Sequence, residues 1–301
     1  MYQQIAGQKQ LLTKAQLVAL LLWLVIVTAP TSVSGQKRSG SHARPARESL
    51  SAEDREVIDR AIGVVCSERS VDPKGSAPID DMQKRPSLPL HDPAVVSGAE
   101  RAQRLLPVAR DLVATALRQL SATYKFNRIH SYESRMNQAL TRLQAVKRIR
   151  PDIDARDNAS VFMKNPRTIT FGTIFLAGLP SDEGMISVLA HELVHIADGD
   201  ADSLRPLFHA VGLRASNLTS FRVRDQRAEE LTCDLVGELA VQSFITQSPN
   251  YEPLSRRLAR SIEHNCVDED DSDEEHLSPR NTIRAVLVLD GTLRRQLVYG
   301  R

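Results

Sequence analysis

The chain has 301 residues, 42% hydrophobic, 25% charged and only 4% aromatic, with a formal net charge of +2. That length carries one domain with a full core and room for a helical extension. The charge is too small to argue for nucleic acid or an anionic surface, and no nucleic-acid-binding module is recognisable. With few aromatics the core must rest on Leu, Val, Ile and Ala, which favours a helix-rich fold.

Residues 1–14 carry Lys9 and Lys14 and no acid, and residues 15–29 (AQLVALLLWLVIVTA) are apolar or small after Gln16. Pro30 and the small-residue stretch 31–35 follow. Basic, then apolar, then small is the order of a secretory signal. The run is short of the ~20 residues a spanning helix needs. Lys37, Arg38, Arg44 and Arg47 lie behind it, so positive charge does not favour its N-terminal side. Residues 1–35 are therefore expected to be a signal peptide or an N-terminal membrane anchor, with the chain exported or held at a membrane. Residues 36–49 read as a flexible basic linker.

Ser51 with Asp54 reads as a capping box, and Ile58, Ala61, Ile62 and Val65 follow at helical spacing. Residues 70–97 contain Pro73, Pro78, Pro86, Pro89 and Pro93 and read as a long irregular loop. Helix returns over about 98–146, with Leu105, Val108, Leu112, Ala116 and Leu120 on one face. Leu140, Leu143 and Val146 belong to a second helix. Residues 50–144 thus form a helical N-terminal part.

The character changes near Arg148. Residues 159–163 and 168–176 are β-branched and aromatic around Asn165-Pro166-Arg167, and read as an antiparallel hairpin. Pro180 and Ser181 open a helix with Asp182 and Glu183 in its first turn, running to about Asp198 and Gly199. Further helices are expected over about 225–246 and 280–297. The acidic run 268–275, broken only by Ser272, reads as a solvated loop, since it lacks the glycine and spacing of an EF-hand. The three cysteines are Cys66, Cys233 and Cys266; a Cys66–Cys266 disulfide is one option, and no CxxC pair points to a thiolate zinc site.

The chemistry is carried by HELVH. His191 and His195 are four apart on a helix and can reach one metal ion, and Glu192 beside them can act as general base. In such a site zinc lowers the pKa of a water that the glutamate deprotonates. Val188, Leu189, Leu193, Val194 and Ile196 make the helix apolar on most sides, so it is buried, and buried imidazoles need partners. A catalytic zinc needs a third protein ligand. Glu230 is the better candidate, with Asp234 four residues on to bond the far nitrogen of a ligand histidine, most simply His191. Glu229 is the one-residue alternative. Asp198 and Asp200 are also open, though they follow the helix end closely.

HELVHIADGD followed by Glu230-xxx-Asp234 resembles the HtpX and CAAX-prenyl-protease family of zinc metallopeptidases, of the gluzincin type. The resemblance covers about residues 145–290 and includes Asn158-Ala159, the strand pair and Gly178-Leu179. It implies one zinc per chain on His191, His195 and Glu230, with Glu192 as the base and Asp234 as support. It further implies that Ala159, Ser160, Val161, Phe162 and Met163 form an edge strand on which an extended polypeptide substrate pairs. The family often shows His-Pro with an arginine five residues after the proline; here Ser278-Pro279 and Arg284 stand there, and serine replaces the histidine thought to steady the oxyanion. His276, two residues earlier, is the substitute in transition-state stabilisation. The fold expected is α+β: a predominantly helical, zincin-like domain over residues 145–301, with a small antiparallel sheet whose edge strand flanks the active-site helix. The function implied is a zinc-dependent metalloendopeptidase in protein quality control. The alternative is a catalytically impaired zinc-binding member that acts as chaperone or binding module.

Overall fold

The first described helix starts where the sequence offers its cap. Ser51 Oγ accepts from the Asp54 amide at 2.9 Å and donates to the Asp54 carboxylate at 2.8 Å, opening α1 (Ala52–Ser70). The computed structural model describes residues 49–70, 85–162, 166–179, 181–262 and 272–300. The expected export segment, nearly all of the linker, Met163, Pro180, Cys266 and the first part of the acidic run lie outside the described residues. No described helix is long and apolar enough to cross a membrane.

In α2 (Pro93–Thr123), Asp92 accepts from the Ala94 amide and Pro93 takes the first helical position. The helix therefore begins five residues before the end of the expected loop. Proline lacks only a hydrogen bond that the first turn does not make. Leu105, Leu112, Ala116 and Leu120 are buried as expected, but Val108 faces solvent beside the exposed side of the helix. Next comes α3 (Tyr132–Ala145).

Three short strands form one sheet: β1 (Arg148–Asp152), β2 (Ala159–Val161) and β3 (Thr168–Gly172), in the order β1-β3-β2. The expected hairpin is present, with β2 antiparallel to β3 and Ser160 opposite Thr170. The sheet as a whole is mixed rather than antiparallel, because β1 runs parallel to β3 with Arg150 beside the same Thr170. The second expected strand also ends early. Gly172 donates to Asn158 O, the amides of Ile174 and Phe175 donate to Arg156 O, and the chain turns into α4 (Thr173–Gly178). Thr173, Ile174, Phe175 and Leu176 are all buried, so this apolar run packs on every side of a helical turn rather than on two faces of a strand.

Ser181 Oγ accepts from the Gly184 amide at 3.1 Å and starts α5 (Asp182–Asp198), the HELVH helix. It stops at Gly199, whose φ of 59° suits glycine. There follow α6 (Arg205–Leu218), α7 (Gln226–Gln247), α8 (Leu254–Ser261), α9 (Pro279–Leu289) and α10 (Gly291–Tyr299). The expected single tail helix is two. Asp290 ends α9, and its Oδ1 accepts from the amides of Thr292 and Leu293 to cap α10. One hydrophobic cluster joins α1 and α2 to α5, α7 and the tail, within a unit spanning residues 47–301. The architecture is α+β, mostly helix around a small mixed sheet.

Candidate metal centre

Two buried helices set the site. α5 buries its own Met185, Ile186, Leu189, Leu193, Val194 and Ile196, and α7 lies against it. Gly237 of α7 sits where a Cβ would approach Ser187 O of α5 to 3.2 Å, so the missing side chain lets the helices close up. That closeness brings the acids of α7 onto the histidines of α5.

Nε2 of His191 and Nε2 of His195 are 3.2 Å apart. Oε2 of Glu230 lies 3.2 Å from the first and 3.6 Å from the second. The other ring nitrogens are held from behind: Asp234 Oδ1 is 2.9 Å from His191 Nδ1, and Glu229 Oε1 is 2.8 Å from His195 Nδ1. A carboxylate on Nδ1 fixes the proton there and leaves Nε2 its lone pair. Asp234 thus occupies the position expected of it. Glu229, the alternative ligand in the sequence, bonds the back of His195 instead. Asp198 is buried, its Oδ1 accepts from the Leu204 amide at the end of α5, and it lines a cavity shared with His191 and His195. Asp200 is exposed.

The electrostatics follow from this packing. Burial lowers the pKa of both imidazoles. For His191 the bonds to Asp234 and Glu230 outweigh burial, and the ring is raised well above its ordinary value. His195 is raised too, by the Cys233 sulfur, Glu229 and Glu230 around it. Burial raises the Glu230 carboxyl, but the two histidines outweigh that and hold it at about 2. Asp198 is pushed up to about 6 by burial, opposed by the Leu204 amide. A pair of imidazoles among three carboxylates is a group suited to a cation.

Cys233 offers a second donor set. His191, His195 and Cys233 bring ligand atoms within 4.8 Å of one another, so the described residues contain a group able to hold a metal ion. The Cys233 sulfur lies 3.9 Å from His195 Nδ1, the nitrogen already bonded to Glu229, and the thiol is fully buried with its pKa raised by burial. The two Nε2 atoms and Glu230 Oε2 form another close group, on residues that line the cavities. Cys66 is disulfide-bonded and Cys233 is free; Cys266 completes the chain's three cysteines and lies outside the described residues.

A cavity of about 350 Å³ and an adjoining one of about 640 Å³ meet at this group. Both are lined by Asn158, Ala159, His191, Glu192, Glu230 and His276. Glu192 is thus beside His191 and on the cavity wall. Ser160 and Val161 of the edge strand line the larger cavity; Phe162 is 60% exposed and lines neither. His276 Nε2 comes to 3.8 Å from Glu230 Oε2, and Asp273 accepts from the His276 amide and contacts its Nδ1. Arg284 does not join them: it pairs with Asp59 of α1 at 3.1 Å and lines neither cavity. Ser278 is buried at the N-cap of α9.

One cavity residue that the sequence did not single out positions the rest. Arg227 precedes Glu230 by one helical turn, lines the smaller cavity and donates from Nε to Asp273 O at 2.9 Å, which pins the turn carrying His276. Its spacing of three from Glu230 was the available signal. Glu229, which the sequence offers as an alternative ligand, is found instead as the partner of His195 Nδ1. Comparison with protein-family models, curated proteins and solved structures finds no match for the chain.

Proposed function

We propose that the chain is a zinc-dependent metalloendopeptidase with a zincin-like site. The observation that carries this is the spacing of three donors. Ligands about 2.05 Å from one tetrahedral zinc lie about 3.3 Å apart. His191 Nε2, His195 Nε2 and Glu230 Oε2 are separated by 3.2, 3.2 and 3.6 Å. Two nitrogens, one carboxylate oxygen and an open side toward the cavity are the donor set of a catalytic rather than a structural zinc. Bound there, the metal supplies a Lewis acid and a water of lowered pKa. Glu192 would take the proton from the attacking water and pass it to the leaving nitrogen. Asp234 and Glu229 keep both imidazoles turned so that Nε2 faces the ion. The edge strand β2 offers backbone groups to an extended polypeptide, with Ala159 on the cavity wall. This agrees with the resemblance to the HtpX and CAAX-prenyl-protease family. The disulfide at Cys66 supports export, since disulfides persist in oxidising compartments. Envelope protein quality control is the role that fits both.

The test is cleavage of unfolded casein by wild type and Glu192→Gln. Cleavage by wild type only, with equal zinc in both, is expected. Ser278 motivates a second reading, that the chain binds zinc without catalysis and serves as a chaperone or binding module, because this side chain lines neither cavity. Zinc in both proteins with cleavage by neither would favour it.

A further inference from the structure

The net charge of +2 averages over an uneven surface. On the outer face of the sheet the register sets Arg148 beside Thr168, and Arg150 beside Thr170, which faces Ser160 across the next pairing. These positions alternate with Ile169 and Phe171, which are fully buried on the core side. Lys147 and Arg167 adjoin the row: the amides of Lys147 and Arg148 both donate to Arg167 O. Lys147, Arg148, Arg150 and Arg167 are all exposed. Among the described residues the one acid paired with this group is Asp152, 3.4 Å from Arg150. A groove of about 290 Å³ runs between them, floored by Thr168 and Thr170 and walled by Arg148, Arg150, Ile149 and Phe162. Arg150 also donates to Thr170 Oγ1 at 3.2 Å, which leaves that hydroxyl's own proton for another acceptor.

We propose that this face docks on an anionic phospholipid surface. Guanidinium groups and threonine hydroxyls on a common face match a phosphodiester headgroup in charge and in donors. An open spread of four cations suits the field of a charged bilayer, which attracts each cation near it. Phe162, a large apolar side chain left 60% exposed at the groove's rim, is the element that a free phosphate ion would not use and an acyl layer would. The basic residues Lys37, Arg38, Arg44 and Arg47 carry the same charge sign in the stretch after the apolar N-terminal run. Phe162 directly follows β2, so the edge strand links the two surfaces: Ala159 lines the cavity at the histidines and Phe162 lines the groove. Docking therefore holds the edge strand of the cleft beside the bilayer. The inference stands independently of the metallopeptidase reading.

The experiment is flotation of the full chain with phosphatidylcholine vesicles, with and without phosphatidylglycerol. The apolar N-terminal run contributes to both vesicles, so the phosphatidylglycerol-dependent increment is the readout. Wild type is expected to show an increment that salt removes. Arg148→Gln with Arg150→Gln is expected to lower the increment about thirtyfold, at about 1 kcal/mol per cation. Phe162→Ser is expected to weaken binding while keeping the salt dependence. Circular dichroism matching wild type shows that each variant is folded. Equal partition of wild type to both vesicles would overturn the proposal, as would an undiminished increment in the double arginine variant. Inorganic phosphate that abolishes the increment at constant ionic strength would also overturn it, by making the groove a free-phosphate pocket.

Discussion

Asp234 Oδ1 accepts from Nδ1 of His191 at 2.9 Å, and this contact decides which ring nitrogen faces the cavity. With Nδ1 keeping its proton, Nε2 faces His195 and Glu230 and is the nitrogen that a metal would take once its own proton leaves. Asp234→Ala removes that control without removing a ligand. Zinc affinity, measured by competition with a chromophoric chelator, is expected to fall about 10- to 100-fold. An unchanged affinity would show that the ring orientation is fixed by packing alone.

Glu229 and Glu230 are neighbours with different roles. Glu230→Ala removes a donor and is expected to leave the purified protein without stoichiometric zinc. Glu229→Ala removes only the bond behind His195 and is expected to keep one zinc at weakened affinity. The reverse pattern would move the ligand by one residue.

Stability against pH should separate metal-free from loaded protein. His191 and His195 are raised above their ordinary 6.5 in the metal-free fold. Their contribution is therefore fully present below about 6.5 and is lost as the pH rises toward the folded-state values. Glu230, held at about 2, contributes above its ordinary 4.5 and loses that only in strong acid. The melting temperature of chelator-treated protein is expected to fall between about pH 6 and about pH 9. With zinc present the slope reverses, because the ion competes with protons for the imidazoles. A metal-free melting temperature that rises over this range would contradict the proton-loaded site.

Away from the site, Arg257 donates from Nε to Glu183 Oε1 at 2.6 Å, and both side chains are buried. This pair ties α8 to the first turn of α5. Arg257→Ala leaves a buried carboxylate unpaired and is expected to cost about 3–5 kcal/mol in urea unfolding. Replacing both by apolar residues of similar volume should cost much less.

HELVH, the hairpin and the capped starts of α1 and α5 were legible because each depends on local spacing. Three features were not. β1 reads RIRPD, with a proline and three charged residues, and becomes a strand only by pairing in parallel with β3. The run TIFLAG has strand composition, yet its first four residues are all buried and it folds as α4. The break at Asp290 depends on one side chain taking the two amides of Thr292 and Leu293 inside an otherwise helical pattern. At the site, spacing found His191, Glu192, His195, Glu230 and Asp234. The placement of His276 depends on Arg227 and Asp273, residues brought together across 46 positions of chain. Arg284 reads as a site residue by its distance from Pro279, but its salt bridge to Asp59 of α1 is visible only in the fold.

The central claim is that His191, His195 and Glu230 together hold zinc. Its most direct test is metal analysis of natively purified wild type, His191→Ala and Glu230→Ala. One zinc per chain in wild type, lost in both variants, is the expected result. Zinc absent from wild type, or retained in His191→Ala, would contradict it.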